Sequence, residues 1–189
     1  MEIGLDIDGI LAATDKATLA ALSRHYGVEL RFADWHSWFM SACWPQYADI
    51  DAQAQTLFDD PAFMAAVPPL PGAVDGATAL SRLGEIHYIT SRPDHLAPCV
   101  AEWLARHGFP AGQTHIGRAK KADLAASIGL AFHVEDAAHH ATAVAEVCPV
   151  YLFDYPWNQD VSHPRIIRVT GWPKVLERVE ATYARAAAV

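Results

Sequence analysis

Apolar and polar positions along the chain fall into two regimes. From Pro71 onward, runs with apolar residues three or four apart alternate with short β-branched or aromatic runs. The 3.6-residue period predicts helices and the compact runs predict buried strands. The expected order is helix Ala73–Leu83, strand Glu85–Thr90, helix Leu96–His107, strand Thr114–Gly117, helix Lys120–Ile128, strand Ala131–Glu135, helix Ala138–Val147, strands Val150–Phe153 and Arg165–Val169, and a closing helix Pro173–Ala187. Gly108 and Gly129 stand where helix stops belong. Such alternation predicts an α/β fold, a parallel sheet with helices on both faces. Before Pro71 the pattern differs. Ile3, Leu5 and Ile7 predict one short strand; Ala12–Tyr26, stopped by Gly27, and Asp51–Phe63 predict helices; Val67–Gly72 breaks the pattern. The expected organisation is a core from residues 1–13 and 71–189, interrupted by a small helical cap at 14–70.

In sheets of this kind chemistry gathers at the carboxyl ends of the strands. The first strand ends on Asp6 and Asp8, followed by Gly9; another ends on Thr90-Ser91-Arg92, and a third on Glu135-Asp136, with Lys120 and Lys121 opening the helix before it. Residues two apart in a regular strand share a face, so Asp6 and Asp8 are expected to project together. Their mutual repulsion calls for a cation between them. Each group also has a plain structural use: Asp-x-Asp-Gly makes turns, Thr90 and Ser91 can cap a helix, Glu135-Asp136 suit a helix N-terminus, and the lysines suit a solvated surface. Their coincidence at the strand ends of one sheet favours a common site. Carboxylates and backbone carbonyls together suit Mg²⁺, a hard cation.

Composition narrows the function further. The 189 residues suit one domain carrying an insertion. At 52% hydrophobic and 19% charged the chain has ample material for a core. A net charge of −8 and the lack of a basic stretch argue against nucleic-acid binding, so an anionic substrate must be drawn by a metal or a few placed cations. Cys43, Cys99 and Cys148 form no CxxC pair and read as reduced, buried thiols of a cytoplasmic protein. No leader and no membrane span are expected. His133, His139 and His140 lack the spacing and third ligand of a zinc site, with 139 and 140 expected to point apart and to lie at the surface or behind the site. A receiver domain would begin with adjacent acids, and a dinucleotide-binding domain with a Gly-rich turn; neither is present.

Asp6-Ile7-Asp8-Gly9, Thr90, Lys121 and Glu135-Asp136, in that order, resemble the four signature motifs of the haloacid dehalogenase (HAD) superfamily of phosphohydrolases. Residues 14–70 fall where that superfamily carries its type-one cap. Phe153–Asn158 and Val169–Trp172 resemble features of its 5′(3′)-deoxyribonucleotidase-like group. Two positions depart: Ile10, where the superfamily more often has Thr or Val, and Glu135, where the group often has Asp. The resemblance implies a HAD-like, Rossmann-like core and Mg²⁺-dependent phosphate-ester hydrolysis. Asp6 would be the nucleophile. Asp8 would be the acid/base, its pKa raised in the loaded site. Asp6, the Asp8 carbonyl and Asp136 would hold the metal, and Thr90 and Lys121 the phosphoryl oxygens. Lys121 is preferred to Lys120 because its fourteen-residue spacing to Glu135 resembles the usual motif.

Ser91 and Arg92 are candidate substrate contacts, Arg92 being equally suited to a structural salt bridge. Residues 31–47 hold Phe32, Trp35, Trp38, Phe39, Trp44 and Tyr47. A small cap needs such side chains for its core, while one or two, with Trp35 and Trp38 the candidates, would face the site and stack on a flat ring. With the group resemblance this points to a nucleoside monophosphate, a deoxyribonucleotide included. The alternatives are a sugar phosphate or other small phosphomonoester, or an inactive phosphate-binding relative.

Overall fold

The computed structural model describes residues 1–117 and 120–186. Six strands form one sheet, all parallel, in the order β3-β2-β1-β4-β5-β6. They are β1 (Glu2–Leu5), β2 (Glu85–Thr90), β3 (Gln113–Ile116), β4 (Leu130–Glu135), β5 (Val150–Phe153) and β6 (Ile166–Val169). The first strand is thus central, and the direction of strand addition reverses between β1 and β4. That reversal opens a crevice at the carboxyl ends.

The pleat sorts side chains to two faces. Ile3, Leu5, Ile86, Tyr88, Phe132, Val134, Tyr151 and Phe153 pack with α5 (Ala73–Ser81), α6 (Ala97–Arg106) and α9 (Trp172–Ala186). On the other face Ile89, Val150 and Leu152 pack with α7 (Lys121–Ile128) and α8 (Ala138–Ala145). Gly4, His133 and Glu135 share that second face. A Cβ on Gly4 would lie 2.5 Å from His133 Nδ1, so the glycine makes room for the buried imidazole.

The helical segment comprises α1 (Thr14–Tyr26), α2 (Met40–Cys43), α3 (Ile50–Asp59) and α4 (Pro61–Ala66). Leu19, Leu22, Leu30, Trp35, Met40, Trp44, Ile50 and Ala54 form a core of their own, joined by Trp157 from beyond β5. Backbone carbonyls of this segment are tied to the α6 region: Trp103 Nε1 donates to Val67 O (2.7 Å) and Arg106 to Ala65 O (3.1 Å).

Most expected elements form within a few residues of their expected ends. The opening helix starts at Thr14 and not Ala12, because Ile7 O accepts the amides of Leu11 and Ala12 (2.8 Å each) in a tight turn. The last expected helical residue, Ala187, lies outside the described residues. Cys148 is buried, but Cys43 and Cys99 are only partly so, and all three are free. No helix of the described residues is long and apolar enough to cross a membrane.

Candidate active site

β1 ends at Leu5, one residue short of the first carboxylate. Asp6 N still donates to Val134 O (3.0 Å), but the chain then turns, with Gly9 at φ 72°. The expected regular strand through Asp8 is therefore replaced by a turn, and each acid acquires its own cation. Lys121 Nζ lies 2.9 Å from Asp6 Oδ1 and 2.8 Å from Glu135 Oε2. Arg92 grips Asp8 with two hydrogen bonds, Nε to Oδ2 (2.9 Å) and Nη2 to Oδ1 (2.7 Å). Thr14 Oγ1 donates to Asp8 Oδ1 (2.5 Å), and Thr90 Oγ1 lies 3.5 Å from Oδ2.

The lysine and arginine are both buried, so these pairs operate where Coulomb forces are weakly screened. Burial and the neighbouring Glu135 push the Asp6 carboxyl well above its usual range, with Lys121 opposing. Burial, Glu135 and Asp6 do the same to Asp136. Burial also disfavours charge on Glu135, but Lys121 and His133 overcome it and hold that carboxyl well below the usual range. On Asp8 burial is likewise outweighed, by Arg92 and Thr14, and the pKa is lowered. This runs opposite to the raised value expected of a loaded site.

Glu135 spends its acceptors inside the protein. Oε1 takes the amides of Asp136 and Ala137 (3.1 Å each), and Oε2 takes Lys121 and His133 Nε2 (3.1 Å). It therefore braces the loop into α8. Carboxylate oxygens of Asp6, Glu135 and Asp136 lie within 4.8 Å of one another. With Glu135 committed, Asp6 and Asp136 remain to face a cation. All the donors are oxygen, and the raised pKa values of Asp6 and Asp136 mark negative charge that a hard cation would relieve, so the residues fit Mg²⁺.

Gly9 belongs to this site. A Cβ there would sit 2.6 Å from Asp136 Oδ2. Gly9→Ala is expected to lose roughly 1–2 kcal/mol from its left-handed backbone alone, and further stability from displacing Asp136. A urea midpoint equal to wild type would contradict this.

A cavity of 590 Å³ opens above these groups. It is lined by Asp6, Asp8, Ser91, Arg92 and Asp136 from the strand ends, by Lys121 from the start of α7, and by Trp35, Trp38, Phe39 and Phe58 from the helical segment. All the expected site residues meet here or, for Thr90, hydrogen-bond to one that does. Lys120 is exposed. Trp35 is buried and Trp38 half-exposed, while Trp44 packs in the helical core away from the cavity. Ser91 Oγ lies 3.2 Å from His140 Nε2.

Several residues had no sequence signal of their own. Thr14 meets Asp8 only because the turn after β1 folds back. His139 and His140 do not point apart: their rings lie 4.0 Å apart, both line the cavity, and His139 meets Trp38 edge-on at 5.0 Å. Burial pushes the His140 imidazole down to about 4, so it stays neutral near physiological pH. His133 lies behind the site, as one of the expected alternatives had it.

A family model described as "5′ nucleotidase, deoxy (Pyrimidine), cytosolic type C protein" matches residues 1–186. A Bacillus subtilis (strain 168) protein described as "Putative nucleotidase YqfW" is 24% identical over 187 residues, covering 94% of this chain and 92% of its own. Among solved structures, a haloacid dehalogenase-like family hydrolase from Streptococcus pneumoniae matches with TM-score 0.64 at 16% identity, covering 94% of this chain and 97% of that one. The Bacillus subtilis protein YfnB, solved bound to magnesium, matches with TM-score 0.59 at 12% identity over 94% and 97% of the two chains.

Proposed function

Because the chain belongs to the cytosolic type C deoxy (pyrimidine) 5′-nucleotidase family, within the HAD phosphatases, we propose that it hydrolyses a nucleoside monophosphate with Mg²⁺, through an aspartyl-phosphate on Asp6. The observation that carries this reading is the pairing of two acids with separate cations at one cavity floor. Lys121 pairs with Asp6, while Arg92, Thr14 and Thr90 hold Asp8.

Asp6 Oδ1 is engaged by the Ile7 amide (2.8 Å) and by Lys121, which leaves Oδ2 to attack phosphorus. As the P–O bond to the leaving group breaks, Asp8 gives that oxygen a proton. Asp8 then takes a proton from the water that attacks the phosphoenzyme, releasing phosphate and restoring the Asp6 carboxylate. An incoming phosphoryl dianion brings a negative charge that pushes the Asp8 pKa back up against Arg92. Mg²⁺, held by Asp6, the Asp8 carbonyl and Asp136, would offset charge on the transferring phosphoryl group. Thr90 and Lys121 would hold its oxygens, with Ser91 and Arg92 beside them. Residues 14–70 act as the cap, since Trp35, Trp38, Phe39 and Phe58 are the walls a leaving group would meet. The pyrimidine nucleotidase description of the family favours a deoxyribonucleotide.

The test is phosphate release from nucleoside monophosphates, sugar phosphates and an aryl phosphate, with Mg²⁺ and with chelator. Nucleoside monophosphates are expected to lead, chelator to abolish activity, and Trp38→Ala to weaken nucleotide turnover. Preference for sugar phosphates, unaffected by Trp38→Ala, would defeat the nucleotide assignment.

Metal binding has its own readout. Mg²⁺ held by the folded site should raise Tm by an amount that grows with the logarithm of one plus its concentration over Kd. Asp136→Asn is expected to remove most of that rise while leaving Tm without metal unchanged or higher, because one buried like charge is gone. An undiminished Mg²⁺ shift in the variant would displace Asp136 from the ligand set.

A further inference from the structure

Ser91 follows Thr90 at the carboxyl end of β2 and lines the cavity. Few donors beside it remain free for a phosphate. Arg92 commits Nε and Nη2 to Asp8, Lys121 Nζ is shared by Asp6 and Glu135, and Thr90 Oγ1 lies 3.5 Å from Asp8 Oδ2. Ser91 Oγ is tied to none of these acids. Among the described residues its hydrogen-bond partner is His140 Nε2, at 3.2 Å. His140 is the third residue of α8. Helix side chains lean toward the helix N-terminus, which brings this ring back over the strand ends and into the cavity wall. The positive end of the helix dipole disfavours a second proton on it. Burial does the same, with Glu135 opposing and Lys121 adding to it. The imidazole therefore has one N–H to place.

A serine hydroxyl has one proton and a neutral imidazole one N–H, so two arrangements are open. If Ser91 donated to His140, the serine would turn only lone pairs toward an arriving phosphate dianion. If His140 donates to Ser91, the hydroxyl proton is left for the phosphate, and the first hydrogen bond strengthens the second by polarising it. We propose that His140 is a positioning residue of the second kind: its Nε2–H donates to Ser91 Oγ and turns the serine's own proton onto the phosphoryl group. The proposal rests on the phosphomonoesterase reading above. A Ser-His pair can also make a nucleophile, the imidazole taking the serine's proton. That use fails here, because an imidazole whose pKa is about 4 is a poor base near neutrality and Asp6 already stands at the cavity floor. Packing is the plain structural use of His140, and it calls for a ring of that size but for no particular nitrogen.

The experiment compares Mg²⁺-loaded wild type, His140→Leu, His140→Gln, Ser91→Ala and the double variant Ser91→Ala/His140→Leu. It reads kcat and KM for a nucleoside monophosphate, the affinity for inorganic phosphate, and Tm. His140→Leu and Ser91→Ala are each expected to raise KM and weaken phosphate binding by about 10-fold, the scale of one hydrogen bond to a charged group. The change in kcat should be smaller, because the contact exists before the reaction as well as during it. The double variant should be no worse than Ser91→Ala, since with the hydroxyl gone His140 has nothing left to aim. His140→Gln, whose amide can place an N–H near the Nε2 position, should recover most of the loss, and it carries the comparison should His140→Leu melt early. Nitrogen NMR of phosphate-bound wild type should show the His140 proton on Nε2. Additive losses, a Gln variant as poor as Leu, or a proton on Nδ1 would overturn the positioning role and leave the phosphatase reading standing. Absence of wild-type turnover on every phosphomonoester would remove that reading, and phosphate affinity with the NMR signature would still decide the role of His140.

Discussion

Asp6→Asn is expected to lower turnover by about 10⁴-fold or more, the scale on which nucleophile removal acts. Quenched reactions should show no phosphoenzyme by intact mass, whereas wild type is expected to show one. The fold should survive the change. Asp6 is a buried carboxyl whose pKa burial and Glu135 raise, and Lys121 keeps Glu135 as its second partner. A group with a raised folded pKa contributes stability that is full below its unfolded pKa and lost as pH rises through the folded pKa. In metal-free buffer the variant should therefore gain stability relative to wild type as pH rises toward neutrality. Near-normal turnover in Asp6→Asn would end the covalent mechanism, whatever its stability.

Lys121→Met is expected to damage both stability and catalysis. The ammonium is buried between Asp6 and Glu135, and both hold it charged, above the usual lysine range, against the cost of burial. Removing one partner of a buried pair typically costs about 3–5 kcal/mol, and here Asp6, Glu135 and Asp136 would be left facing one another. Loss of a donor to the transferring phosphoryl group adds about 10²- to 10³-fold in kcat. Lys120→Ala is the control: its side chain is exposed, and surface changes of this kind stay within roughly 0.5 kcal/mol. Urea denaturation with phosphate-release kinetics would check both. A larger defect in the Lys120 variant would reassign the motif.

How far each element was legible depended on whether its signal is local. β2 and β5 form over the residues their apolar runs predict, and Gly27, Gly108 and Gly129 adopt positive φ where helices were expected to stop. Chain period and glycine chemistry are enough for these. The turn at residues 8–12 misled because a tight loop folded on Ile7 O buries Leu11 and Ala12 as a helix would. The two tryptophan candidates were separable from Trp44 only by where the helical segment leans, since all three have the same residue type and neighbourhood.

The sequence by itself determined the parallel α/β order, the inserted helical segment and the acids, hydroxyl and lysine carried to the strand ends. Hydrophobic period and strand polarity decide those, and both are written in consecutive residues. Only the tertiary structure decided who pairs with whom. Arg92 reaches Asp8 across 84 positions and lowers its pKa, and Glu135 becomes a brace for the loop into α8. The reason is physical. A charge's partner and its desolvation depend on which strand ends become neighbours and on what covers them, and neither is a property of the residues beside it in the chain.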